Sequence, residues 1–313
     1  MIFETLILAL EGSNPMKVLL IGANGQLGSD LFKVFQSAGD TVVPVTHAQL
    51  DVCFAGRVAE IMAEAKPDVV LSTAAFHKVE ECEEKPALAF QVNGTGAMNL
   101  ALACQRSGAV LVHFSTDYVF DGKKNAAYEE TDLPSPLNVY GVSKVVGEYL
   151  IAAYAERRFV IRTCGLYGVA GSRGRGGNFV ETVLKKAMAG EAIRVVDDQL
   201  LTPTYTADLA EATRKLILTG SYGLYHVSSE GQCSWYEFTR YIFDCAGLDA
   251  NLSPVKSSEF ASPVKRPANS VLSKAKLRGL GVSIPSWKDA LPRYLEERSR
   301  KNALASPSAV SVS

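Results

Sequence analysis

Three side chains close together in the sequence have the types and spacing of a proton-transfer site. Residues 110–114 read VLVHF, an apolar strand that runs into Ser115, Thr116 and Asp117. A helix is expected after Pro136. On it Tyr140 and Lys144 stand four residues apart, so they project from one face, one turn apart. A free phenol has a pKa of about 10 and is a poor acid–base group at neutral pH. A neighbouring ammonium favours the phenolate and draws that value down. The Thr116 hydroxyl at the strand end would face the pair. Tyr and Lys at this spacing also occur on ordinary amphipathic helices. This pair is set apart by the Ser-Thr-Asp strand end and by a glycine turn near the start of the chain.

That turn follows a short buried strand, KVLLI at 17–21, and reads Gly22-Ala-Asn-Gly25-Gln26-Leu27-Gly28. Glycines between a strand and a helix permit a tight turn and let backbone N–H groups reach a pyrophosphate at the helix N-terminus. The expected ligand is a dinucleotide. An NAD site usually carries an acid at the end of the second strand, here 41–45, to hold the ribose hydroxyls. That place is taken by Val45-Thr46-His47, and the next acid is Asp51, before Val52. The third strand, DVVL at 68–71, ends in Ser72-Thr73-Ala74-Ala75, small enough for close approach of a cofactor.

Regular alternation of strands and helices over the first 150 residues predicts an α/β fold, a Rossmann-type doubly wound parallel sheet. A smaller, loopier C-terminal substrate-binding lobe should cover the strand ends. The boundaries read as 16–164 for the dinucleotide-binding domain and 165–300 mainly for the lobe, with segments near 193–220 returning to the sheet. Residues 1–15 read as an extension, with Met16 as a natural start, and 301–313 as a disordered tail. Between these, 87–107 is expected as one long helix in which Asn93-Gly94 is out of place. Asn93 could hold a water behind Lys144 there, or mark a plain helix irregularity. The acidic run 79–85 (VEECEEK) reads as a solvated helix face. Thr206 and Ser234 are candidate helix caps. In the loop 171–177 (GSRGRGG) the arginines either contact a phosphorylated ligand or are merely solvated.

Composition excludes several classes. With 32 basic and 33 acidic residues the net charge is -1, which gives no field for nucleic acid or anionic membranes. No apolar run approaches the ~18 residues of a membrane span. The six cysteines are scattered without a CxxC pair, which suits reduced thiols in the cytoplasm. The four histidines have no metal-ligand spacing, so no metal is expected.

The motifs GANGQLG, STDYVF, SPLNVYGVSK, RTCGLYG, GGNF, DQLLTPTY, GLYHV and RPANSVL stand in one order between residues 16 and 295. In this combination the chain resembles the dTDP-4-dehydrorhamnose reductases, which are extended short-chain dehydrogenase/reductases. The resemblance implies reduction of the 4-keto group of a nucleotide-linked deoxysugar by NADPH or NADH. It implies Tyr140 as proton donor, Lys144 as its activating partner and Thr116 as hydrogen-bond donor to the substrate oxygen. Gly22, Gly25, Gln26, Leu27, Gly28, Asp51, Val52, Thr73, Ala74, Ala75 and Phe114, with Tyr140 and Lys144, would hold the cofactor. Thr116, Asp117, Gly165, Asn178 and Arg266 would meet the sugar nucleotide.

The chain departs from that pattern at Gly165, where the family usually carries a tryptophan that packs on the sugar. Either Leu166 or Tyr167 would replace the missing wall, or the pocket would be wider and less selective. The fold also serves nucleotide-sugar C4 epimerases, and it resembles the non-catalytic regulatory subunit of methionine adenosyltransferase. Dehydratases of this type want Glu after Thr-Asp, where this chain has Tyr118. The expected partner is the nucleotide sugar, with homodimerisation left open.

Overall fold

The computed structural model describes residues 14–171, 177–260 and 262–305. The glycine-arginine loop and most of the N-terminal extension lie outside that set. The first layer consists of β1 (Lys17–Ile21), α1 (Gln26–Ser37), β2 (Thr41–Val45), α2 (Ala55–Ala65), β3 (Val69–Ser72), α3 (Ala97–Ser107), β4 (Val110–Thr116), α4 (Val139–Tyr154), β5 (Arg158–Thr163), α5 (Thr206–Leu218) and β6 (Gly223–His226). Its six strands form one parallel sheet in the order β6-β5-β4-β3-β1-β2. The chain reverses direction across the sheet between β1 and β3, and that switch point is where ligands enter such folds.

Alternation along each strand divides the core in two. Val18, Leu20, Val112, Phe114 and Ile161 pack with α1 and α5 on one face. Leu19, Ile21, Val70, Leu111 and Val160 pack with α2, α3 and α4 on the other. In β4 the same alternation sends His113 and Ser115 to the α4 face, beneath Lys144 and Glu148.

The second lobe has its own core. Helices Phe179–Met188, Trp235–Ala246 and Trp287–Ala305 enclose an aromatic cluster of Tyr167, Tyr205, Phe238 and Tyr294. The strand Ile193–Val196, expected near the large sheet, pairs instead with Leu252–Val255 and belongs to this core. Only the later part of the 193–220 segment reaches the sheet layer, where α5 lies against α1. The sheet then takes in β6, so the chain leaves the first layer after β5 and comes back. The last helix runs to Ala305, into the stretch expected as a tail. Lys301 holds it there by donating to the Val169 carbonyl, at 2.9 Å.

Ser234 caps its helix as part of a reciprocal capping box with Glu237. Thr206 does not cap α5. Tyr205 takes the cap position, and the Thr206 hydroxyl donates to Asp30 Oδ2 at 2.6 Å, which ties α5 to α1. The expected 87–107 helix breaks into Pro86–Phe90, a π-helical turn Gln91–Gly96 and α3. Asn93 sits in that turn, fully buried. It binds the Phe76 backbone through both its oxygen and its amide, and donates to Ser143 Oγ at 2.9 Å. Its side chain clamps α4 rather than serving Lys144.

Candidate active site

A cleft of about 2010 Å³ runs between the lobes along the carboxyl ends of the strands. Gly22, Gly25, Gln26 and Leu27 border one end of it, with Asp51, Val52, Thr73, Ala74, Ala75 and Phe114. Gly22 has φ +82°, and a Cβ there would collide with Thr73 Oγ1. Gly25 is the N-cap of α1 without a side-chain cap, and the first turn holds no acid. The helix therefore presents uncapped N–H groups and its positive end to the cleft, which fits a pyrophosphate. Gly28 does not border the cleft. It lies beneath the turn, where a Cβ would strike the Gly22 carbonyl, so its role is to let the helix close on the strand.

Tyr140 and Thr116 meet at the middle of the cleft. Asn138 caps α4, accepting from Gly141 N at 2.9 Å, and so places Tyr140 in the first turn. Gly141 is required because a Cβ would collide with the Tyr118 carbonyl. Glu83 supports the same helix end by accepting from Val139 N at 2.8 Å. Glu80 pairs with Arg266 and Glu81 with Lys78, so the acidic run is not merely a solvated face. Tyr140 and Thr116 both border the cleft, and the Thr116 hydroxyl donates to Asp117 Oδ1 at 2.9 Å and accepts from Tyr118 N at 3.1 Å. The Tyr118 ring meets Tyr140 edge-on at 6.0 Å between centroids.

Burial holds the Tyr140 phenol above its ordinary pKa; the Thr116 hydrogen bond opposes this and the Asp117 charge adds to it. The sequence suggested a phenol pulled down by Lys144. Lys144 instead sits under the cleft floor, 1% exposed, donating to His113 Nε2 at 3.0 Å and the Phe114 carbonyl at 2.6 Å. Burial pushes its ammonium down to about 8, against the field of Glu148. Burial likewise pushes the Asp117 carboxyl up to about 6, against hydrogen bonds with Ser270, Thr116 and Cys164.

The far end of the cleft belongs to the second lobe. Arg266 borders it, linked to Ser262 Oγ at 3.0 Å. Asn178 also borders it, but its polar atoms are engaged. The carbonyl caps the helix Phe179–Met188, and the amide donates to Gln26 Oε1, the Gly168 carbonyl and the Tyr294 hydroxyl at 3.0–3.3 Å. These bonds make it a clamp between the lobes.

Gly165 has φ +58°, and the space where a side chain would begin holds Leu201 Cδ1 at 3.0 Å and Pro203 Cα at 3.1 Å. The glycine therefore opens no gap. Tyr167 turns away into the lobe core, while Leu166 borders the cleft. Phe179 and Trp235, whose rings lie 4.4 Å apart and are tilted by 47°, bring aromatic surface to the cleft. Sequence reading passed over these two because they look like the opening residues of capped helices. The first turn of each helix faces the cleft, and that was the available signal. Gly165→Ala is expected to destabilise the protein by about 1–2 kcal/mol, through left-handed backbone strain. Urea denaturation checks this, and an unchanged midpoint would mean that the loop relaxes freely.

The family profile described as RmlD substrate binding domain matches residues 16–300. The chain is 42% identical over 283 residues to the spore coat polysaccharide biosynthesis protein SpsK of Bacillus subtilis, covering 90% of this chain and 98% of that protein. It is 37% identical over 294 residues to the dTDP-4-dehydrorhamnose reductase of Burkholderia thailandensis, covering 88% and 97%. Among solved structures it is similar to the dTDP-4-dehydrorhamnose reductase of Bacillus anthracis in complex with NADP. The TM-score there is 0.86 at 38% identity, covering 91% of this chain and all of the other. A matched profile over most of the chain, with relatives of this identity along nearly their whole length, places the protein in the dTDP-4-dehydrorhamnose reductase family.

Proposed function

We propose that the protein reduces the 4-keto group of a nucleotide-linked deoxysugar with a nicotinamide cofactor, converting dTDP-4-dehydro-L-rhamnose to dTDP-L-rhamnose in the cytoplasm. The observation that carries the reading is the meeting of Tyr140 and Thr116, above Lys144, in the cleft that the uncapped glycine turn also borders. The reduced nicotinamide, when bound, supplies hydride to the carbonyl carbon. Tyr140 gives its proton to the carbonyl oxygen. A phenol held above its ordinary pKa by burial stays protonated until it is needed, as a reductive donor must. The phenolate left behind is stabilised by the positive charge of Lys144. Thr116 has one hydrogen, now directed at Asp117, and turns it to the substrate oxygen for the reaction. Phe179 and Trp235 provide aromatic surface for the sugar, and Arg266 a cation for the phosphates.

The test is oxidation of NAD(P)H across dTDP-, UDP- and GDP-linked 4-keto sugars. Turnover on dTDP-4-dehydro-L-rhamnose at the highest kcat/KM is expected. An absence of turnover on the whole panel would overturn the reading.

Cofactor choice follows from the end of β2. The Val45 carbonyl accepts from Gly22 N at 2.8 Å, and no acid follows until Asp51, whose carboxylate is engaged by Cys53 N at 2.9 Å. Nothing there repels a 2′-phosphate, and His47 borders the same end of the cleft. NADPH is expected to serve at least as well as NADH. Steady-state KM values decide it, and a KM for NADPH about tenfold above that for NADH would contradict the reading.

A further inference from the structure

We propose that His113 is a positioning residue for Lys144: its neutral imidazole holds one of the three ammonium hydrogens and sets how many remain for Tyr140 and the cofactor. The kinetic part of the test rests on the reductase reading; the structural part does not.

The strand alternation of β4 puts His113 on the α4 face, 2% exposed. Its Nε2 lies 3.0 Å from Lys144 Nζ. An ammonium only donates, so Nε2 must be the acceptor and the ring proton must sit on Nδ1. Nδ1 has no partner among the described residues. A buried N–H without a partner is costly, so packing alone would not choose this tautomer. The contact with Lys144 is what selects it. A charged imidazolium beside a buried ammonium is disfavoured, and burial with the Lys144 charge holds His113 well below its ordinary pKa.

The surrounding charges are few. Glu148, on α4 itself, favours the Lys144 ammonium and is paired with Arg162 of β5. Asp117, Tyr118 and Cys82 act on Tyr140. Ser72 of β3 is the register neighbour of His113 and is uncharged.

Two of the three ammonium hydrogens are spent, on His113 and on the Phe114 carbonyl. One is left. Stabilising a phenolate and holding a cofactor hydroxyl together needs two. The carbonyl is fixed in the sheet, with the shorter bond of 2.6 Å, so the imidazole bond is the one that is released. His113 is the resting partner from which Lys144 is drawn.

The experiment compares wild type, His113→Leu and His113→Gln by the pH profile of kcat. Loss of the acceptor disfavours the charged lysine. In the Leu variant the basic limb is expected to move down by about one pH unit. Gln keeps an acceptor and should return the limb toward the wild-type position. A Leu variant with the wild-type profile and only a lower Tm would overturn the proposal, leaving His113 as core packing. If the Leu variant does not fold, ¹⁵N NMR of the histidine rings in the wild-type chain decides, with only four histidines to assign. An unprotonated Nε2 and a protonated Nδ1 at about pH 6 to 7, where Lys144 keeps its charge, is the expected result. A proton on Nε2 would overturn the proposal. This measurement needs no turnover, so a chain without reductase activity would refute the function and leave this proposal intact.

Discussion

Tyr140→Phe is expected to lower kcat at least ~10²-fold while Tm and the Kd for NADPH stay near wild type. The phenol borders the cleft together with the strand-end hydroxyl of Thr116, and its ring is already held by Tyr118 and by the first turn of α4. Phenylalanine keeps the ring and removes only the proton and its hydrogen bond. An effect confined to kcat marks an interaction made in the transition state. Near wild-type turnover by the purified variant would show that another group, with Asp117 the first candidate, supplies the proton.

The largest expected loss of stability lies about two turns further along α4. Glu148 and Arg162 are both buried and paired at two points, at 2.9 and 2.6 Å, and Ser115 also donates to Glu148. Arg162 packs over the Phe120 ring, and its Nη1 already lacks a partner among the described residues. Glu148→Ala leaves that guanidinium buried without a counter-charge. The expected cost is about 3–5 kcal/mol in the free energy of unfolding. Replacing both members, as Glu148→Leu with Arg162→Met, should recover much of it, because desolvation offsets most of the attraction in such pairs. Urea denaturation of the three proteins checks both statements. A loss below about 1 kcal/mol in the single variant would mean that water reaches the pair.

Much of the first layer was legible in the residues themselves. β1, the glycine turn and α1 are contiguous, and their signal is local: an apolar run, then glycines, then a helical period. The Tyr140–Lys144 spacing and the Thr116 strand end are equally local. What escaped depends on distance in the chain. Phe179 and Trp235 come together only because two capped helices of the second lobe converge on the cleft. Glu83 holds the α4 N-terminus from 56 residues away, and Asn178 spends its polarity on Gln26 and Tyr294. Pattern reading assigns such residues to solvent or to ligand because it cannot see their partners. The resting partners of Lys144 escaped for another reason. Helical spacing puts Lys144 and Tyr140 on one face, but the long lysine stem reaches down to β4, and only the alternation of that strand would have pointed to His113.

The return of the chain to the sheet bears on biogenesis. During synthesis β5 leaves the ribosome well before its neighbour β6, and the lobe-core residues Tyr167, Val180, Leu184, Ile193 and Tyr205 and the whole of α5 come between them. Until Gly223–His226 arrives, the apolar Phe159–Val160–Ile161 segment presents an open row of backbone donors and acceptors. Such an edge is a template for pairing with other chains. A nascent chain stalled in this interval is therefore most vulnerable to aggregation at β5. In the finished protein, strand β6 covers that edge, and the helix Ala275–Gly279 packs beside β6.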